Sequence, residues 1–349
     1  MIEKLLKNLI EISSISGQEK EIARFVFNYL KSRGLKPKLL LGNNVYCEIG
    51  KGKKTLLLNS HLDTVPPSPS WTINPYRAKE RQGKIYGLGA SDTKSSLAAM
   101  MEAIIDSRNL EKELKGKVIF AATDKEEGFG PSGMEKLAKR LKFDAIVIGE
   151  PTNLDICIAE KGLLGLKIIS QGKAGHAASP GGINAIFKAA EDINRLKNLK
   201  LNRPHKLLGL PSIQVTMING GIKPNIIPDR CEFTVDVRTT PIYPNNLLLN
   251  LIKKQIKSEI EIQTNRIFPK EVKIDERIVQ VAKKSSPNSK LSGFFAVSDF
   301  AFTDKPGIIL GPGNGKQAHT ADEFVEISQV EKAKEIYKKI IQNYFQNEN

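Results

Sequence analysis

The sequence predicts an α/β fold built on a central, mostly parallel sheet and interrupted by an inserted α+β unit. Two observations carry this. Over about the first 150 residues, apolar strand-length runs alternate with amphipathic helical stretches, the pattern of a sheet covered by helices. From about Gly162 the pattern changes to strands in succession with two helices, and after Pro269 the first texture returns. A length of 349 residues suits two domains at roughly 100–200 residues each. The expected boundaries are 1–161 with 268–349 for the first domain and 162–267 for the second.

In chain order, Leu5–Ile12 and Glu19–Leu30 repeat apolar residues at helical spacing. Leu39–Leu41 and Val45–Ile49 flank Gly42-Asn43-Asn44, a hairpin signal. Lys54–Ser60 reads as a strand, Lys94–Asp106 as a helix, Lys117–Thr123 as a strand, Met134–Leu141 as a helix and Ala145–Gly149 as a strand. Within the insertion a helix over Asn184–Arg195 precedes strands at Pro211–Ile218 and Asp229–Arg238, then a helix at Asn245–Ser258. A buried strand at Ile308–Leu310 and a long helix at Ile327–Phe345 complete the first domain.

Composition excludes several classes. With 40% apolar and 26% charged residues the chain is an ordinary globular one. No apolar run approaches the roughly 20 residues of a membrane span. The start, Met1-Ile2-Glu3-Lys4, lacks the basic-then-apolar pattern of a secretion leader. Cys47, Cys157 and Cys231 lie too far apart for a thiolate metal site, and three cysteines make no disulfide framework, so a reducing cytoplasm is the expected location. The net charge of +15 points to nucleic acid, an anionic surface or an acidic partner. The basic residues form no tract, aromatics are 6%, and no nucleic-acid motif is present, so nucleic acid is not expected. A lysine-rich surface of the thermophile type is the other reading of the charge.

Four segments place acidic residues or a histidine just past an apolar strand, where open α/β sheets build their sites. In Leu56-Leu-Leu-Asn-Ser-His61-Leu-Asp63-Thr-Val-Pro66, the carboxylate two residues after a histidine suits an imidazole oriented for a metal; a solvated loop histidine is the alternative. Asp92, in Gly89-Ala-Ser-Asp-Thr-Lys-Ser95, reads either as a ligand or as a helix N-cap. Glu126 and Glu127, in Ala122-Thr-Asp-Lys-Glu-Glu-Gly-Phe-Gly130, read as solvated charges or as a pair with divided tasks, one on a metal and one moving protons. Glu150 directly follows the apolar strand Ala145–Gly149, an unusual place for a mere surface charge. His319 comes late, in Gly311-Pro-Gly-Asn-Gly-Lys-Gln-Ala-His319.

Taken in order, His-x-Asp-Thr-Val-Pro, Gly-x-x-Asp-x-Lys, Glu-Glu-Gly, Gly-Glu-Pro-Thr and the late His resemble the di-zinc aminoacylase/carboxypeptidase family, which includes acetylornithine deacetylase and succinyl-diaminopimelate desuccinylase. The resemblance runs the length of the chain. It implies a zinc-peptidase-like catalytic domain with an inserted lid that also forms a homodimer, and two Zn²⁺ per chain with Co²⁺ as a substitute. Asp92 resembles the carboxylate shared by both metals, His61 and Glu150 the remaining ligands of one, Glu127 and His319 those of the other. Glu126 resembles the general base and Asp63 the partner that orients His61. His176, in Gly172-Lys-Ala-Gly-His176, resembles the lid histidine that stabilises the oxyanion across the dimer. Asn225 and Arg238 resemble groups that hold the substrate's carbonyl or carboxylate. His205 matches no motif and is expected at the surface. Two places depart from the pattern: Lys125 precedes the glutamate pair, and Leu291-Ser-Gly-Phe-Phe-Ala-Val-Ser-Asp299 keeps only Ser298-Asp299 of a glycine-rich loop that bears on substrate choice.

Within the family the overall likeness is to hydrolases that release lysine or ornithine from the C-terminal glutamate of a small acidic amino-group carrier protein, LysW. Residues 162–267 hold 15 Lys and Arg against 7 Asp and Glu. A lid of that charge would steer an acidic protein partner to the site. The alternatives are a small-molecule deacylase or a broad peptidase or aminoacylase on the same metals and, from another class, a non-catalytic basic binding module.

Overall fold

The computed structural model describes residues 1–110, 114–128 and 130–346. The chain forms two compact units: Met1–Ile158 with Val272–Ser292 and Ser298–Asn349, and Ala159–Glu271 with Gly293–Val297. The second unit thus takes in Gly293–Val297, which the sequence leaves in the first.

In the first unit, the strands Lys38–Leu40, Asn44–Gly50, Lys117–Thr123, Thr55–His61, Ala145–Ile148, Gly307–Ile309 and the start of Ile156–Glu160 lie side by side in that order. The middle four are parallel, and the flanking ones run antiparallel. Thr55–His61 and Ala145–Ile148 are buried at every position, which is why they carry the continuous runs Leu56–Leu58 and Ala145–Ile148 in place of an alternating pattern. The predicted hairpin forms between Lys38–Leu40 and Asn44–Gly50, with Leu41 and Gly42 both at positive φ in its turn.

The helix Lys94–Ser107 packs on Thr55–His61 and against the helices Ile2–Ile10 and Ile327–Tyr344. It is buried almost all round, so its sequence shows little amphipathic stripe. Its approach to the sheet is close: a Cβ on Gly149 would sit 2.8 Å from Cβ of Ser96. That contact fixes where the chain turns before Glu150. The helix Ile327–Tyr344 buries Val330, Ala333, Tyr337, Ile340 and Tyr344, and the Tyr337 hydroxyl donates to the Leu310 carbonyl at 2.6 Å. Burial of Val330 and Ile340 contributes about 1.5–3 kcal/mol each. The helix predicted at Met134–Leu141 is shorter, Gly133–Leu137, capped by the Ser132 hydroxyl. A helix at Arg277–Ser285 was not expected, although Ile278, Val281 and Ala282 give it a buried face.

The second unit is an antiparallel sheet in the order Ser212–Gly220, Arg230–Thr239, Gly162–Gln171, Glu259–Ile267. The sequence predicts two of these four strands. Gly162 and Gly165 dilute the apolar signal of Gly162–Gln171, yet it alternates buried and half-buried residues over most of its length. One face, with Leu164, Leu166, Phe233 and Val235, packs on Ala189, Leu196, Leu248 and Ile252 of the helices Ala185–Lys197 and Asn245–Gln255. Asn184 caps the first helix by accepting from the N–H groups of Ile186 and Phe187. His205 is a correction to the expected surface position. It is 5% exposed, its Nδ1 accepts from the N–H groups of Leu207 and Leu208, and its Nε2 lies 3.2 Å from Glu271 Oε1. It clasps its own loop. Among the described residues no helix is long and apolar enough to cross a membrane.

Candidate active site

The parallel strands Thr55–His61, Lys117–Thr123 and Ala145–Ile148 end at one edge of the sheet, with His61 in register with Thr123 and Asn59 with Ile148. Just beyond those ends the chain delivers His61, Asp63, Glu126, Glu127 and Glu150. Parallel strands must all end on the same side, so three sequence-distant acidic turns meet there.

His61 is buried. Its Nε2 lies 3.3 Å from Asp92 Oδ1 and 3.8 Å from Glu150 Oε1. Its Nδ1 lies 2.9 Å from the Asp63 carbonyl and 3.6 Å from the Asp63 carboxylate. The strand ends at His61, and the Asp63 carbonyl, not its carboxylate, is the nearer acceptor. Two oxygens at Nδ1 place a proton there and leave the Nε2 lone pair for a cation. Burial disfavours a charged His61, but Asp63, Asp92, Glu150 and Glu126 outweigh it and hold its pKa well above the ordinary value.

His319 meets the same cluster from the far end of the chain, at φ 60°. Its Nε2 is 2.8 Å from Glu127 Oε1 and 3.7 Å from Asp92 Oδ2. The Glu127 bond pushes its pKa up to about 9. Two ligand groups result, His61–Asp92–Glu150 and Asp92–Glu127–His319, each with its atoms within 4.8 Å of one another, and Asp92 belongs to both. His61, Glu126 and Glu127 form a third set by the same distance. Asp92 does not act as the helix cap: the helix begins at Lys94 with Thr93 at the N-cap position and no side chain capping it.

The electrostatics call for cations. Burial pushes Glu126, Glu127 and Glu150 up, and their mutual repulsion and that of Asp92 or Asp299 push further. Asp299 itself is raised to about 6 by burial, against donors from Thr123 and Ser132. Such a cluster is stable only with protons or with metal ions. Oxygen-rich sets with one imidazole each match a divalent catalytic metal, so the donor set fits two ions.

Buried carboxylates hold the acidic turns from behind. Asp63 accepts from the N–H groups of Glu126 and Glu127 at 3.1 and 3.0 Å. Glu19, fully buried, accepts from Lys125 N–H at 3.2 Å and Gly17 N–H at 2.6 Å. Glu323 accepts from Gly89, Ser91 and Asp92. Burial pushes Glu323 up to about 8, with the three backbone donors opposing it. Lys94, also buried, donates to the Ile12 carbonyl at 2.9 Å, and burial pushes its ammonium down to about 7. The sequence offers no signal for Glu19 or Glu323 beyond their acidity, because their partners are backbone amides. Phe129, in the glutamate turn, lies outside the described residues.

His176, Asn225 and Arg238 belong to the second unit. Gly175–His176 pairs with Ile226–Ile227, and Ala177 N–H donates to the Asn225 carbonyl at 3.0 Å, so His176 and Asn225 are neighbours and both are exposed. Arg238 commits its Nε and one terminal nitrogen to Asp236, at 2.9 and 3.1 Å. Ser298 accepts from Phe300 N–H at the start of a short helical turn, with Asp299 buried beside it.

The family described as peptidase family M20/M25/M40 matches residues 57–343. The chain belongs to that family. It is 30% identical over 322 residues to the acetylornithine deacetylase of Buchnera aphidicola subsp. Schizaphis graminum, covering 86% of this chain and 84% of the relative. It is 28% identical over 376 residues to the succinyl-diaminopimelate desuccinylase of Pelagibacter ubique, covering 98% of each. The fold matches the M20 metallo-carboxypeptidase Sso-CP2 of Sulfolobus solfataricus with a TM-score of 0.82 at 20% identity, over 98% of this chain and 99% of that one. YxeP of Bacillus subtilis, described as a dinuclear metal-binding M20 peptidase, matches with a TM-score of 0.72 at 17% identity, over 97% and 96% of the two chains. This member of the M20 family is a metal-dependent hydrolase of amide bonds.

Proposed function

We propose that the enzyme uses two zinc ions, with cobalt as a working substitute, to release lysine or ornithine from the γ-glutamyl C-terminus of an acidic amino-group carrier protein. His61, Asp92 and Glu150 would hold one ion, and Asp92, Glu127 and His319 the other. When bound, such ions supply Lewis acidity, polarising an amide carbonyl and acidifying water.

The chain's own residues do the rest. Glu126 accepts a proton from the attacking water at its carboxylate and returns it to the leaving nitrogen. Asp63 holds the Glu126 and Glu127 backbone, so the base and a ligand keep a fixed spacing. The Asp63 carbonyl keeps the His61 proton on Nδ1. His176 in the second unit is the proposed oxyanion donor, and Asn225 and Arg238 the proposed substrate contacts.

The charge distribution supports the carrier reading. The stretch 162–267 carries a net +8 of the chain's +15, and a small acylated amino acid needs no such field. The similarity to acetylornithine deacetylases supports a second reading, deacylation of a small N-acyl amino acid. Amine release from lysine-loaded carrier, ornithine-loaded carrier and N-acetylornithine, measured side by side, separates the two. The carrier reading expects preference for a carrier, and a KM that rises steeply with salt for the carrier but little for the small substrate, since screening shortens the field to about 8 Å at 0.15 M. Preference for N-acetylornithine with equal salt responses would favour the second.

A homodimer through the inserted unit belongs to the same proposal. Ser212–Gly220 is an edge strand carrying exposed Met217 (70%) and Ile218 (56%), with Ile222 (84%) following it. An exposed apolar edge is a template for a second copy. Met217→Asp should shift the sedimenting species from dimer to monomer; a wild-type chain that sediments as a monomer would refute the dimer.

A further inference from the structure

The two-ion reading leaves open how ligands from opposite ends of the chain are kept in register. Asp92 lies in the turn leading into the helix Lys94–Ser107, and His319 lies in the loop before Phe324–Glu326. That loop is tied to the Asp92 turn at two points. At its start, Asn314 N–H donates to Ser91 Oγ at 3.0 Å, and Ser91 Oγ donates to the Asn314 carbonyl at 3.2 Å. At its end stands Glu323, 1% exposed. Its Oε1 accepts from Ser91 N–H at 2.6 Å and Asp92 N–H at 2.8 Å, and its Oε2 accepts from Gly89 N–H at 2.8 Å. Its own carbonyl accepts from Gly87 N–H at 3.0 Å. Next to it, Asp322 accepts from the N–H groups of Thr72 and Ile73. Glu323 and Asp92 are 231 residues apart, so these bonds form only on folding.

Resting on the two-ion reading, we propose that Glu323 is a positioning residue for the ion held by Asp92, Glu127 and His319. By accepting three consecutive-turn amides it fixes the Asp92 backbone, and being four residues after His319 it sets the distance between those two ligands. His61 and Glu150 are placed separately by strand ends, so the ion they hold depends on Glu323 only through Asp92. Groups standing behind metal ligands commonly change affinity about 10–100-fold when removed.

The test is a Co²⁺ titration of the metal-free full-length enzyme and its Glu323→Ala and Glu323→Gln variants, read by visible absorption and by chelator competition. In the wild type two ions bind. Glu323→Ala is expected to weaken the ion held by Asp92, Glu127 and His319 by about 10–100-fold and the other ion by less. Glu323→Gln keeps one acceptor oxygen and falls between. His319→Ala added to Glu323→Ala is expected to cost that ion less than it costs in the wild type, the non-additivity of residues acting through one element. Wild-type affinity for both ions in Glu323→Ala, equal weakening of both, or failure of both variants to fold without metal would each overturn the proposal. A wild type that binds no Co²⁺ would overturn the two-ion reading itself, and the inference with it.

Discussion

Glu126→Ala is expected to retain two metal ions per chain and to lose about 10²–10⁴-fold in kcat, the contribution of a well-placed proton carrier. The geometry makes this a sharp test, because His61, Glu126 and Glu127 also satisfy the distances of a ligand set. As a ligand, Glu126 would take an ion with it. As a base, it leaves both sets that contain Asp92 intact. Burial and the charges of Glu127 and Glu150 already raise its proton affinity, the direction a group needs if it is to take a proton and pass it on. Elemental analysis with steady-state kinetics on the same preparation decides. Loss of one ion would move Glu126 to the ligands, and near-wild-type kcat would remove it from the chemistry.

Asp92→Ala has the second large effect, and it falls on metal content. Asp92 belongs to both ligand groups, so removing it leaves each with two side chains: His61 with Glu150, and Glu127 with His319. Both ions should be lost at concentrations that saturate the wild type, and turnover with them. Glu127→Ala touches one of these two groups and should cost one ion. If Asp92→Ala still binds two ions, the shared-ligand arrangement is wrong.

The acidic turns were legible because a carboxylate straight after an apolar strand is anomalous in the sequence itself, as Glu150 is after Ala145–Gly149. Their convergence follows from parallel strands, which must end on one side. The alternative roles of Asp92 could not be separated by sequence, since an N-cap and a ligand look alike before a helix. Glu19 and Glu323 were invisible for a different reason. They bond backbone N–H groups, and amides leave no trace in side-chain identity. The same limit hid His205, whose Nδ1 is held by the amides of Leu207 and Leu208. In the inserted unit, Glu259–Ile267 alternates apolar and polar residues through Glu-Ile-Glu-Ile, a strand signal masked by the long helix before it. Gly162–Gln171 is one of the two inner strands, and glycine obscured it.

The central claim is that this chain hydrolyses an amide with two ions held by Asp92 and its neighbours. The most direct measurement strips the enzyme with chelator and adds zinc stepwise, following amine release from lysine-loaded carrier and from N-acetylornithine. The expected result is an inactive stripped enzyme and activity that reaches its plateau at two ions per chain. Full activity in the stripped enzyme, or a plateau reached while the cluster binds no zinc, would contradict it.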